Sequence, residues 1–336
     1  IGTSLNRELY LAFQILDYAL LSAPGAPLKK ALTDAGIGKD IMGSYDNGIY
    51  QPIFSIIAKN ANEDQKQEFV DLIERVLSEL SEKGIDRKAL EAGLNYHEFR
   101  YREADFGNYP KGLMYGLQMM DSWLYDENEP FIHVEALETF EFLKKQVGTR
   151  YYEELIRKYL LDNTHGAVVI VKPEKGRTAR MDAELDRQLQ EYKAGLTSEE
   201  VEALVNNTAK LEAYQSAPEK EEDLERIPVL EREDISRDIE PIVNEEMRLA
   251  EVPVIFHEID TNGIGYLDIL FDISGIREDL LPYVGILQSV LGIIDTENYD
   301  YGELFNEINV HTGGIGTSLE LYSDVTKLEE KAFKAT

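Results

Sequence analysis

Residues 177–237 make up a long acidic stretch without any strand pattern, set between two blocks that mix strand and helix periods, so the chain has to fold as two flanks joined by a helical insert. In its first arm Met181, Leu185, Leu189 and Tyr192 recur at steps of four, four and three, which keeps them on one face of a 3.6-residue helix. Gly195 suits a left-handed residue just past a helix end, and Thr197 with Glu200 three residues on makes a capping box for the next helix. Val201, Leu204, Val205, Thr208, Leu211 and Tyr214 form the stripe of the second arm, which Pro218 ends, so the two arms are expected to zip together as an antiparallel pair. The charged run Glu219-Lys220-Glu221-Glu222-Asp223 follows as solvated linker.

The flanks read as α+β. In the first, 5–21 is a helix that Pro24 and Pro27 break, and a short helix over 28–33 ends at Gly36 and Gly38. Strands over 37–45 and 52–59 are joined through the Asn47-Gly48 turn signal. Asn62 and Gln65 cap a helix that Gly84 closes, and helices follow at 87–103, 111–125, 131–146 and 149–161, then a short buried strand at 167–171. In the second flank the period returns to two. Strands are expected at 242–248, 252–259 and 265–273, the last two joined by Thr261-Asn262-Gly263, with helices at 282–293 and 301–309 and a closing strand at 315–322. Both flanks look incomplete, the first lacking leading strands and the second ending after one returning strand.

Composition narrows the partners. With 64 acidic against 34 basic residues the formal charge is -30, which argues against a phosphate backbone or an anionic lipid surface as partner, so neither nucleic acid nor membrane is expected. The absence of cysteine removes disulfides, thiolate metal sites and a cysteine nucleophile. No apolar run approaches the length of a membrane span, and the start, Ile1-Gly2-Thr3, has no signal-peptide pattern, so a fragment is expected.

The five histidines, His97, His133, His165, His257 and His311, are the natural candidates for a metal or catalytic site. None has a second histidine one helical turn away. His97-Glu98-Phe99-Arg100-Tyr101 has tyrosine where a zinc helix needs histidine, His257-Glu258 falls on a strand, and the inverted order H-x-x-E-H is absent. Glu258, Asp260, Asn262 and Gly263 open like a calcium loop, but Ile269 occupies the twelfth position, where a bidentate glutamate is needed. Gly36-Ile37-Gly38-Lys39-Asp40 lacks the first glycine and the hydroxyl of a phosphate loop, and Gly313-Gly314-Ile315-Gly316 leads into a strand, the wrong direction for a dinucleotide turn. Asn206-Asn207-Thr208 fits a glycosylation site only formally. Met114, Tyr115, Met119, Met120, Trp123 and Tyr125 fit a peptide-contacting wall, though at helical spacing core is expected. The residues themselves therefore supply no catalytic, cofactor-binding or metal site.

Particular strings are more specific than these motifs. Asp17-Tyr18-Ala19-Leu20-Leu21, Ala26-Pro27-Leu28-Lys29-Lys30-Ala31-Leu32, Gly36-Ile37-Gly38-Lys39-Asp40, Tyr45-Asp46-Asn47-Gly48 and Gln51-Pro52-Ile53-Phe54-Ser55-Ile56 follow one another in order. Together they resemble the second domain of the presequence-protease branch of the pitrilysin/insulinase-type zinc metallopeptidases. Thr261-Asn262-Gly263-Ile264-Gly265-Tyr266-Leu267-Asp268 and His311-Thr312-Gly313-Gly314-Ile315 resemble the start of that family's third domain, with a helical hairpin between.

The resemblance implies most of a second α/β domain at 1–173, a hairpin linker at 174–239 and the first part of a third domain at 240–336. It implies that such enzymes close like a clamshell on a peptide, with zinc polarising the scissile carbonyl and a glutamate taking a proton from water. The zinc helix belongs to the family's first domain and an assisting arginine and tyrosine to its fourth, and neither set has a counterpart here. The implied function is the inactive middle segment of a zinc metalloendopeptidase acting on unstructured peptides, in the bacterial cytoplasm or else an organelle matrix. The alternative is a non-catalytic homologue that binds a peptide or partner. Hinges are expected at 172–178 and 217–228, letting two separate flanking bodies move.

Overall fold

A computed structural model of the chain describes residues 1–229, 231–238, 241, 243–323, 326 and 333–335. The fold is α+β, mostly helical with small antiparallel sheets. Two compact units separate, Ile1–Ala167 with Asp260–Thr336 in one and Val168–Ile259 in the other.

The first unit grows around helix α1 (Arg7–Asp17), whose N-cap Asn6 accepts from Leu9 N–H at 2.9 Å. Seven of its eleven residues are buried, among them Ala12, Phe13, Ile15 and Leu16 with no exposed surface, because the helix is covered on several sides. After Asp17 it widens into a π-type turn, Tyr18–Ser22, closed by Ala23 N–H to Tyr18 O at 3.0 Å. Helix α2 (Pro27–Asp34) starts on a proline, whose missing N–H costs nothing at that position. Strands β1 (Asp40–Asp46) and β2 (Ile53–Lys59) then pair antiparallel, Asp40 opposite Lys59 and Asp46 opposite Ile53. Ile41, Tyr45, Phe54, Ile56 and Ala58 lie on the face turned to the core, while Met42 and Ile57, a cross-strand pair, stay exposed on the other. Gly43 is required where β1 crosses α1, since a Cβ there would run into Asp17 Oδ1 and Leu21.

Helix α3 (Lys66–Lys83) begins behind the expected Asn62 and Gln65 box, and Gly84 leaves it at φ 104°. Helix α4 (Arg87–Glu103) carries the buried Glu98, held by Lys144 Nζ at 2.6 Å and by Arg102 Nε at 2.8 Å. Helices α5 (Lys111–Trp123), α6 (Leu137–Gln146) and α7 (Tyr151–Ile156) follow, the last running into a second π-type turn, Arg157–Leu161. The helix expected over 131–146 starts only at Leu137, because the Tyr101 hydroxyl accepts the Ala136 N–H and donates to Val134 O, fixing a turn ahead of it.

In the second unit, α8 (Arg177–Ala194) and α9 (Ser198–Ser216) are the two expected arms, with the Thr197 and Glu200 capping box in place. Two details differ. Gly195 is right-handed at φ -83°, its N–H still bonded to Glu191 O and Tyr192 O, so the helix simply runs out there. The stripes do not zip: Met181, Leu185, Leu189, Tyr192, Val205, Leu211 and Tyr214 are all more than half exposed. Ion pairs within the helix support α8 instead, Arg187 reaching Glu184 at 2.6 Å and Glu191 at 2.5 Å. A short helix α10 (Glu221–Leu224) follows, and β3 (Glu245–Leu249) pairs antiparallel with β4 (Val252–Phe256). Ile242, where the first of these strands is expected to begin, and the 239/240 boundary lie outside the described residues.

The strands expected at 167–171 and 265–273 do not form, and of the one expected at 315–322 only Leu321 and Tyr322 lie in a strand. Their apolar residues are exposed, Val169 at 78% and Leu267 at 83%, since no described strand lies beside them to take up the backbone N–H and C=O groups. Beyond them α11 (Leu281–Val290) and α12 (Tyr301–His311) are helical as expected, and a short β5 (Leu321–Ser323) pairs with β6 (Phe333–Ala335). Contrary to the expectation of two separate flanking bodies, α12 packs along α4 in the same unit. Asn95 Nδ2 donates to Asn309 O at 2.7 Å and Thr312 O at 2.9 Å, and Lys88 pairs with Glu307.

Candidate functional site

The π-type turn after α1 sets Asp17, Tyr18 and Ser22 against Tyr96 and His97 of α4 and Phe305 of α12, around a cleft of about 250 Å³. Aromatic rings line it, with centroids 5.4 Å apart for Tyr18 and Tyr96 and 6.2 Å for Tyr18 and Phe305, and the Arg100 guanidinium caps Tyr96 at 4.7 Å. Three residue types of a hydrolase triad meet here, but their wiring is different. Ser22 Oγ donates straight to Asp17 Oδ2 at 2.6 Å, where a triad would have serine bonded to histidine and histidine to aspartate. Burial pushes the Asp17 carboxyl up, against the Ser22 bond that holds it down. Burial also pushes the His97 imidazole down to about 4, with a Gln14 backbone bond opposing and the Arg100 charge adding to the fall. The hydroxyl of Tyr18 and Oδ1 of Asp17 are buried without a hydrogen-bond partner. Sequence spacing gave no warning of this cleft, because its members come from three elements.

The other histidines are scattered. His133 is buried, its Nε2 2.8 Å from Ser4 O and its ring stacked on Tyr10 at 3.6 Å, and burial pushes it down to about 4. His165 is exposed near Asn163, His257 Nδ1 lies 3.3 Å from Val243 O, and His311 pairs with Glu307 at 3.4 Å. Among the described residues no group of three or more His, Cys, Asp or Glu side chains is placed to hold a metal ion. The acidic turn at Asp260 is a local bend: its Oδ1 accepts the Asn262 N–H at 3.0 Å, with Asn262 and Gly263 both at positive φ. A second hollow, about 350 Å³, sits at the end of α3, where Arg150 caps the carbonyls of Ser81 and Glu82.

The aromatic and methionine-rich helix α5 departs from its expected core position. Only Ser122 is buried, through bonds to Met119 O and Glu129 O, while Leu113, Leu117, Met120, Trp123 and Leu124 stand exposed. The cause is its composition: α5 is apolar on both sides, and the fold covers one of them.

Two family models match the chain, the peptidase M16 inactive domain over residues 1–96 and the domain associated with peptidase M16, group C, over residues 171–335. The chain belongs to the peptidase M16 family. It is 41% identical over 330 residues to protein HypA of Clostridium perfringens, covering 98% of this chain and 34% of that protein. Presequence protease 1, chloroplastic/mitochondrial, of Arabidopsis thaliana is 31% identical over 315 residues, 93% of this chain and 29% of that one. The mitochondrial presequence protease of Schizosaccharomyces pombe is 26% identical over 326 residues, 95% of this chain and 32% of that one. The chain thus spans about a third of the length of these curated relatives.

Proposed function

We propose that this chain is the middle, non-catalytic part of a zinc metalloendopeptidase that degrades unstructured peptides in a clamshell chamber, to which it gives wall, linker and hinge. One observation carries the reading: the match to the inactive domain comes first and the match to the group C associated domain second, together inside about a third of the length of presequence proteases. The chain divides, on this reading, into 1–173, 174–239 and 240–336. On this reading the unpaired stretches 167–171, 265–273 and 315–320 are strands of sheets whose other members belong to the rest of a longer protein. The zinc ligands and the catalytic glutamate then lie outside this chain, and no residue here is catalytic or metal-binding. Such a segment works in the cytoplasm of a bacterium or in an organelle matrix. Among the described residues no helix is long and apolar enough to cross a membrane.

Dialysed chain is expected to hold no stoichiometric zinc and to cleave no peptide, whereas the longer protein cleaves unstructured peptides and loses that activity to a chelator. Metal analysis and a peptide digest check both. Tightly held zinc with His97 or His257 as ligand would overturn the reading.

Opening of the chamber would turn on 172–178 and 217–228, which contain Pro173, Gly176, Pro218 and Pro228 and are exposed throughout. It would also part α12 from α4. Spin labels at Glu63→Cys and Glu278→Cys in the longer protein should show two inter-label distances whose proportions shift with peptide. One unchanged narrow distance removes the hinge.

A further inference from the structure

The cleft beside the π-type turn after α1 is lined as a site for a cation would be. Tyr18, Tyr96 and Phe305 bring rings to it from three elements, and Asp17 brings a negative charge. Among the described residues no cation pairs with that carboxylate, whose hydrogen bond comes from the neutral Ser22 hydroxyl. The His97 imidazole, pushed down to about 4 chiefly by burial, is neutral at pH 7 and sets no charge against it. Arg100 is exposed and lies on the Tyr96 ring at 4.7 Å, which already marks that ring as a face that takes a cation.

Two details narrow the kind of cation. Asp17 Oδ2 accepts the Ser22 hydroxyl at 2.6 Å, and Oδ1 lies against β1, where a Cβ on Gly43 would come within 2.3 Å of it. The carboxylate thus gives the cleft charge but few free acceptors. A primary ammonium, with three N–H groups to satisfy, is poorly matched there, whereas a fully methylated ammonium needs only charge and ring faces. The second detail is the Tyr18 hydroxyl. Tyr18 is 4% exposed and its oxygen has no hydrogen-bond partner, which is unfavourable until something polar meets it. A hydroxyl on the ligand supplies that partner without setting a second negative charge beside Asp17. At roughly 30 Å³ for a water-sized group, a cleft of about 250 Å³ takes a molecule the size of choline.

We infer that this cleft binds a small free quaternary ammonium alcohol, its cation against the Tyr18, Tyr96 and Phe305 rings with Asp17 as counter-charge and its hydroxyl on Tyr18. The site goes beyond the peptidase reading and does not depend on it. Because Phe305 belongs to α12 and Tyr96 to α4, an occupied cleft also resists separation of those two helices.

Choline chloride is the probe. Titrated into the full chain in a calorimeter, it should saturate a single site, and the urea midpoint should rise with its concentration. The uncharged isostere 3,3-dimethylbutan-1-ol should bind roughly ten-fold more weakly, and ethanolamine also more weakly than choline. Asp17→Asn should weaken choline by a similar factor. Tyr18→Phe keeps the rings and removes the orphaned hydroxyl, so the free chain should unfold at an unchanged or higher urea midpoint while choline binds several-fold more weakly. Arg100→Gln clears the competing cation from Tyr96 and should tighten binding. Unchanged far-ultraviolet dichroism shows that a variant is folded, and Tyr18→Phe and Arg100→Gln decide the matter if Asp17→Asn does not fold.

No saturable binding of choline, or equal affinity for the uncharged alcohol, overturns the inference. So does a Tyr18→Phe chain that binds choline as tightly as before. Phosphocholine or phosphatidylcholine vesicles bound more tightly than choline also overturn it, since the cation would then belong to a lipid headgroup.

Discussion

Phe13→Ala is expected to destabilise the first unit by about 3–5 kcal/mol, a large part of a typical domain's stability of about 5–15 kcal/mol. Phe13 has no exposed surface, and its ring meets Tyr45 at 5.6 Å, Phe54 at 6.1 Å and Tyr159 at 5.8 Å. Those three rings come from β1, β2 and the turn after α7, three elements each fixed by its own hydrogen bonds, so the cavity left by truncation has little room to collapse. Urea unfolding should show a lower midpoint with an unchanged slope. Leu117→Ala, a larger apolar loss by sequence than by structure, should move the midpoint hardly at all, since Leu117 is 54% exposed. Equal effects at the two sites would mean that the core is not centred on α1.

Stability should also fall as the pH drops from about 6.5 to about 4, the window set by the two depressed histidines. A base whose folded pKa lies below its unfolded value is kept neutral by the fold. Its contribution is complete above the unfolded pKa and is lost as pH falls through the folded one. For His133, 3% exposed, a depression from 6.5 to about 4 corresponds to roughly 3 kcal/mol. Glu98 acts in the same direction: burial raises its pKa, but the bonds from Lys144 and Arg102 outweigh that and leave it lowered. Asp17 and Asp121, both raised by burial, act in the opposite direction and recover stability on protonation. His133→Phe keeps the stack on Tyr10 and removes the titrating ring, so the difference in urea midpoint between pH 7 and pH 4 should shrink markedly. An undiminished pH dependence in that variant would show that His133 is not kept neutral by the fold.

Local signals in the sequence were read correctly where the physics is local. The Asn62 and Thr197 boxes and the glycine exits after α2 and α3 rest on neighbours within a few residues, and β1 pairs with β2 across a loop of six residues. The apolar run at 167–171 and the period-two pattern at 265–273 were equally clear and still gave no strand, because a ladder needs a second strand that pattern alone cannot supply. Periodicity likewise cannot tell a covered stripe from a bare one, which is why the α8 and α9 stripes and the outer line of α5 read as buried. The cleft was hidden for another reason. Asp17 and Ser22 are brought beside His97 by a π-type turn, and nothing in their residue types announces the extra residue per turn.

The contact of α4 with α12 joins residues 214 to 219 positions apart, as in Asn95 with Asn309 and Lys88 with Glu307. A ribosome adding about 5–20 residues per second needs roughly 10–40 s to span that interval. Throughout it Tyr96, Asn95 and Phe99 remain an open ledge on a nascent chain whose other core contacts can already form. Helices α8 and α9, of net charge 0 and -3, are made in that interval, so both are complete before α12 arrives to cover the ledge.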